Sequence, residues 1–220
     1  MLDIQEITVS YQKGSEIILA VNRLNLHVNA GELITLTGKS GAGKSTLLHA
    51  IAAYVRPASG HIYLDGKDLM LMKPEQALIY ASRKLGYITQ DFSLIQEYST
   101  EKNILLPAYI HKTEFDQEYF RKLTQFLGIQ GRLNHYPNEC SGGEQQRIAI
   151  ARALLLKPAL VLADEPTGSL DIKTSQQIVN LLLEANRSLG QAFIIATHDP
   201  KIAALGKRKL HLEDGHLYET

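Results

Sequence analysis

"ELITLTGKSGAGKSTLLHAIAAYV", residues 32–55, places a strand, a loop and a helix in direct succession. Residues 32–38 form a short apolar run closed by glycine, the pattern of a buried strand. Residues 45–55 carry the apolar pattern of a packed helix. Between them, Gly38 to Ser45 match G-x-x-x-x-G-K-[ST] in the strand-before, helix-after setting that gives this motif its meaning. Gly41 and Gly43 let backbone N–H groups turn inward as an anion nest at a helix N-terminus. Lys44 then reaches the β and γ phosphates of a nucleotide, and the Ser45 hydroxyl can ligate Mg²⁺. Ser40, Ala42 and Thr46 complete the same cradle. The reading that follows is a nucleotide-phosphate site with Mg²⁺ on an α/β, P-loop NTPase core with a mostly parallel sheet.

The rest of the chain arranges itself around that core. Residues 2–11 and 17–28 alternate as strands joined to the core by the turn "NAG" at 29–31, which predicts an N-terminal antiparallel β lobe. "PASGHIYLDG" at 57–66 returns to β structure with a turn at Asp65-Gly66. From Ser99 to Leu127 the pattern is helical: Thr113 is the expected cap of a helix with Tyr119, Phe120, Leu123, Phe126 and Leu127 on one face, stopped by Gly128. "ALVLADE" (159–165) and "AFIIATHD" (192–199) read as buried parallel strands on either side of an amphipathic helix, Thr174 to Ser188. The expected organisation is a single domain over 1–220. Residues 1–90 and 159–220 form its core and antiparallel lobe, and 91–158 form an inserted helical lobe.

Composition narrows the function classes. Lys plus Arg equals Asp plus Glu at 23 each, so no global basic field recruits nucleic acid, and no nucleic-acid partner is expected. Cys140 is the only cysteine, which removes intramolecular disulfides and multi-cysteine metal sites and suits a reducing compartment. No stretch approaches the roughly eighteen apolar residues of a membrane span, so the expected location is cytoplasmic, with membrane attachment through a partner.

Two further stretches carry chemistry. "ALVLADEP" ends a hydrophobic strand in two acids. Asp164 stands at the usual place for a Mg²⁺-organising aspartate, and Glu165, one residue on, can sit beside a γ-phosphate and polarise the attacking water. "CSGGEQQR", residues 140–147, opens a helix: Ser141 is a good N-cap and Glu144 completes a capping box. The box does not need Gly142 and Gly143, which lower helix propensity in the first turn, so another demand must call for bare backbone there.

Gly38 to Ser45, Ser141 to Glu144 and "ADEPTGSLD" (163–171) together resemble the ATP-binding subunit of an ABC transporter, in order and over nearly the whole chain. The resemblance implies that Ser141, Gly142, Gly143 and Glu144 close on ATP held by the opposite subunit of a homodimer that forms on ATP. It implies that Tyr11 stacks on adenine, that Gln90 in "YITQDFSL" reaches Mg²⁺ and the attacking water, and that His198 in "ATHD" contacts the γ-phosphate. Ser169 and Asp171 resemble the segment linking the two ATP sites, although Asp171 also reads as the cap of the next helix. The subgroup most similar contains the lipoprotein-releasing, macrolide-efflux and cell-division ATPases. Its implied partner is an integral membrane permease, typically four-span with a large extracytoplasmic domain, on which the chain acts from the cytoplasmic face of the cell membrane in export or mechanotransmission. A cell-division-type regulatory ATPase, working through a membrane partner without moving a substrate, is the alternative. Two positions depart from the family: Cys140 stands where leucine is usual, and Ala53-Tyr54 where Gly-Leu is usual.

Rival classes lack support in the residues. DNA-repair and chromosome ATPases place long heptad segments between the halves of the site, and translation types carry two cassettes per chain; this chain has neither. A scaffold that binds nucleotide without turnover would be expected to lack Glu165 or His198. The segment from Gln90 through Leu127 is the expected dock for the membrane partner, because Phe92, Leu94 and Ile95 group apolar residues in a loop. Cys140 is expected to be a small buried hydrophobe beneath the clamp.

Overall fold

The computed structural model describes residues 1–14 and 16–220. Strands β1 (Leu2–Lys13) and β2 (Glu16–Val28) lead to β3 (Leu33–Thr37) and helix α1 (Lys44–Ile51). Strands β4 (Ser59–Leu64) and β5 (Lys67–Asp68) precede α2 (Pro74–Lys84) and β6 (Leu85–Ile88). Helices α3 (Thr100–His111), α4 (Gln117–Phe126) and α5 (Gly142–Leu154) follow, then β7 (Leu160–Asp164), α6 (Ile172–Leu189) and β8 (Ala192–Ala196). The described chain closes with α7 (Pro200–Ala203), β9 (Arg208–Glu213) and β10 (His216–Glu219).

These strands form two sheets. One is antiparallel in the order β2-β1-β4-β5, as the N-terminal alternation predicts. The other has the order β10-β9-β3-β8-β7-β6, parallel except for the β9–β10 hairpin. Its central strands are apolar on both faces. Ile34, Leu36, Leu160, Leu162 and Ile194 face a core shared with α1 and the antiparallel sheet. Leu33, Val161, Ala163, Phe193 and Ile195 face a second core shared with α3, α5 and α6. Each fully buried side chain of this size contributes about 1.5–3 kcal/mol, which is why the strands read as continuous apolar runs.

Three local expectations need correction. Helix α1 stops at Ile51 instead of running to Val55, because Ala53 adopts a positive φ of 60° and the N–H groups of Tyr54 and Val55 fold back to the His49 carbonyl. Thr113 does not cap α4: its N–H closes the end of α3 on Ala108 O. The cap is Asp116, whose carboxylate accepts from Tyr119 N at 2.9 Å. Within the segment expected to be a dock, Leu94 is buried in the second core and Phe92 packs against it, so their side chains form no free apolar patch.

Candidate functional site

Strand β3 delivers the chain to the phosphate loop from the middle of the parallel sheet, where its register with β8 and β9 is fixed. At its end the Thr37 hydroxyl donates to Leu210 O at 3.1 Å, so the loop starts from a pinned point. Gly43 is the N-cap of α1 with φ 99°, and a Cβ there would overlap the Ala20 carbonyl. Only glycine lets the loop pass β2 and enter the helix with its N–H groups bare. Lys44 is buried, and its ammonium donates to Gly38 O at 2.8 Å and Lys39 O at 3.3 Å. The side chain is therefore folded over the loop it serves.

A cleft of about 580 Å³ lies on this loop, a volume in the range of small-molecule sites. Of the residues predicted for the site, it gathers Tyr11, Ser40, Gly41, Ala42, Gly43, Lys44, Ser45, Thr46, Gln90, Glu165 and His198. Gly38 stands behind the cleft, holding Lys44 through its carbonyl. Asp164 ends β7 immediately before Glu165 and is half-buried. Tyr11 is at the rim, its hydroxyl 3.4 Å from Thr46 Oγ1.

The acidic end of the cleft is tied by several hydrogen bonds. Glu165 has a positive φ of 46°, its N–H bonds to Ala196 O at 3.0 Å, and its carboxylate is only 16% exposed. His198 holds that carboxylate twice, from Nδ1 to Oε1 at 2.9 Å and from its backbone N–H to Oε2 at 3.3 Å. Lys44 Nζ lies 4.0 Å from the same Oε1. One carboxylate thus faces the phosphate loop, oriented by a histidine on the neighbouring strand end. Gln90 follows β6, on the other side of β7 from β8, and its backbone carbonyl accepts from Ser169 Oγ at 3.0 Å. The Ser45 hydroxyl, the Asp164 carboxylate and the Gln90 amide oxygen are hard oxygen donors, the set that suits Mg²⁺.

Ser141, Gly142, Gly143 and Glu144 are not among the residues lining this cleft. They form the start of α5, where the capping box is complete: Ser141 N–H donates to Glu144 Oε2 at 2.8 Å and Glu144 N–H to Ser141 Oγ at 3.3 Å. Arg132 Nε donates to the other carboxylate oxygen at 2.7 Å, and these contacts hold the Glu144 carboxyl down at about 2. Both oxygens are engaged within the chain. At Gly143 the chain supplies its own reason for a missing side chain, since a Cβ would lie 2.5 Å from Thr174 Cγ2 on α6. Asp171 caps α6, accepting from Thr174 N at 3.0 Å.

Cys140 is 7% exposed and belongs to the second core, and burial pushes its thiol up. Two residues of the cleft were not predicted, Ile18 and Ala20 on β2. Ile17, Ile18 and Leu19 are three exposed apolar residues in succession, a signal that this strand faces something other than water. Among the described residues no helix is long and apolar enough to cross a membrane.

Residues 21–168 match the family described as ABC transporter. The chain is 40% identical over 219 residues to the lipoprotein-releasing system ATP-binding protein LolD of Shewanella sp. (strain MR-4), covering 99% of this chain and 95% of that one. It is 38% identical to the ABC transporter ATP-binding protein YtrE of Bacillus subtilis (strain 168), covering 99% and 96%. Among solved structures, the dimeric post-hydrolysis state of the ATP-binding cassette MJ0796 with ADP and Pi superimposes with a TM-score of 0.89 at 35% identity, covering 100% and 98%. The chain belongs to the ABC transporter family and is one of its ATP-binding, ATP-hydrolysing cassettes.

Proposed function

We propose that the loop Gly38–Thr46 holds the triphosphate of ATP, that Glu165 orients the water that attacks the γ-phosphorus and accepts its proton, and that His198 fixes Glu165 in that pose. The observation that carries this reading is the convergence of Lys44, Gln90, Glu165 and His198 on one cleft. The attacking oxygen forms a bond to the γ-phosphorus as the bond to the β–γ bridging oxygen breaks, and ADP leaves with the electron pair. Tyr11 stacks on the base at the rim. Ser45, Asp164 and Gln90 would hold Mg²⁺, which would supply charge neutralisation on the phosphates.

The second half of each site comes from another copy of the chain. Ser141 to Glu144 lie outside their own cleft yet present the N-terminus of α5, a natural anion site. The dimeric state named for the MJ0796 cassette supports the same arrangement. Specific ATPase activity should then rise with protein concentration at low concentration. A specific activity independent of concentration throughout that range refutes the shared site.

The cassette drives an integral membrane permease from the cytoplasmic face, and the four-span type with a large extracytoplasmic domain is the partner that the sequence resemblance implies. Within the chain, residues 1–90 and 159–220 act as the nucleotide-binding core and 91–158 as the helical lobe that meets the permease. The dock is a groove of about 400 Å³ walled by Tyr54, Tyr87, Leu106, Pro107 and Ile110, with Tyr54 and Ile110 strongly exposed. Cysteine crosslinks between Ile110 and a short cytoplasmic segment of the permease test it; crosslinks confined to other faces refute it.

A further inference from the structure

The loop that carries Gln90 faces two ways. Gln90 lines the phosphate cleft, whereas Thr89 and Ser93 line the groove on the other side, so a single loop separates the two. Its backbone is held in a conformation that non-glycine residues seldom adopt: Phe92 has φ 63° and Ser93 φ 46°. Local contacts explain part of this. Ser93 Oγ donates to Asp91 Oδ1 at 2.7 Å, Thr89 Oγ1 donates to Ser93 Oγ at 2.9 Å, and the hydroxyls hold the Asp91 carboxyl below the usual range.

The loop cannot supply donors for its own turned carbonyls. Those come from Arg152 of α5, which donates from Nη1 to Ser93 O at 2.6 Å and from Nη2 to Phe92 O at 2.8 Å. This guanidinium has the Asp91 carboxylate of the same loop as a neighbouring opposite charge. Its planar fork is committed to two successive backbone oxygens, a geometry a lysine ammonium cannot reproduce in full. Arg152 also stands eleven residues beyond Ser141 on the same helix, roughly 16 Å along its axis.

We infer that Arg152 is a positioning residue for hydrolysis, clamping the Phe92 and Ser93 carbonyls from α5 so that Gln90 enters the phosphate cleft at a set place. Displacement of α5 at its Ser141 end is then carried to Gln90, because the helix and the loop are tied by two charge-assisted hydrogen bonds. Thr89, Ser93 and Arg152 all line the groove, so an occupant of the groove touches the clamp itself. The inference rests on the role proposed above for Gln90.

The test is a double-mutant cycle on the full chain at one fixed protein concentration, reading kcat at saturating ATP and the Kd of a fluorescent ATP analogue. Arg152→Met should lower kcat about tenfold or more while Kd stays within about twofold, since only the placement of Gln90 is lost. Arg152→Lys should restore part of that loss. Gln90→Ala combined with Arg152→Met should be no slower than Gln90→Ala alone, an outcome that a general packing role for Arg152 does not produce. Additive losses, or an unchanged kcat in Arg152→Met, overturn the inference while leaving the role of Gln90 standing. Unchanged kcat in Gln90→Ala alone overturns that role, and the inference with it. Should Arg152→Met fail to fold, the cycle with Arg152→Lys decides by the same criterion of additivity.

Discussion

Replacing Glu144 separates the two devices that hold the start of α5. One carboxylate oxygen closes the capping box on Ser141 and the other takes the Arg132 hydrogen bond, and together they lower its pKa from 4.5 to about 2. At 1.36 kcal/mol per unit that shift sets a ceiling of about 3 kcal/mol at neutral pH. Arg132 is 43% exposed, so solvent screening brings the realised contribution to about 1–2 kcal/mol. The folded-state pKa is depressed, so this stability is fully present above pH 4.5 and is lost as pH falls toward about 2. Glu144→Gln keeps an acceptor for the Ser141 N–H and gives up the ion pair, costing about 1 kcal/mol; Glu144→Ala gives up both, costing about 2 kcal/mol. In urea unfolding followed by circular dichroism, the alanine variant's midpoint at pH 7 should fall by roughly 1 M. The gap between wild type and Glu144→Gln should shrink to about half or less by pH 3. A gap of equal size at pH 7 and pH 3, or no loss in Glu144→Ala, shows that the Glu144 carboxylate does not stabilise the start of α5.

Other perturbations separate binding from chemistry and packing. Lys44→Ala removes a buried ammonium folded over the Gly38–Ser45 loop and should weaken ATP binding about 10- to 100-fold in an equilibrium titration. Unchanged affinity would count against the phosphate-loop assignment. Cys140→Leu should preserve both ATPase activity and melting temperature, whereas Cys140→Asp, which places an unpaired charge in the second core, should cost about 3–5 kcal/mol in unfolding experiments. Because Cys140 is buried and its thiol is pushed up, alkylation of the native chain should be far slower than of the urea-unfolded chain; equal rates would show an exposed thiol.

Most of the residues that line the cleft are legible in the sequence because they fall in short local runs. The loop Gly38–Ser45, the acids at the end of β7 and the capping box of α5 are each contiguous runs whose residue types carry their own geometry. What escaped depended on contacts between distant segments. Helix α2 buries only Ala77 and Ala81, too small to give an apolar stripe, and leaves Leu78 and Ile79 exposed. Thr113 and Asp116 are both acceptable caps, and the choice is made by how α3 ends, with Lys112 at φ 48° and the Thr113 N–H returned to Ala108. Ile18 and Ala20 reach the cleft only because β2 folds back along β1 beside the phosphate loop. Leu94 reads as a loop residue, and its burial is decided by helices that pack around it.

Glu165 is held by His198 within 4.0 Å of Lys44 Nζ, and the proposed role for it is to activate the water that cleaves ATP. Glu165→Gln changes one oxygen to nitrogen and leaves Lys44 and the loop untouched, so it isolates that step. The decisive measurement is steady-state ATP hydrolysis by this variant alongside its equilibrium affinity for ATP. ATP affinity should stay within about threefold of wild type while kcat falls by about 100-fold or more, the size expected for losing a positioned general base. Near-normal turnover with ATP bound as before would contradict the account.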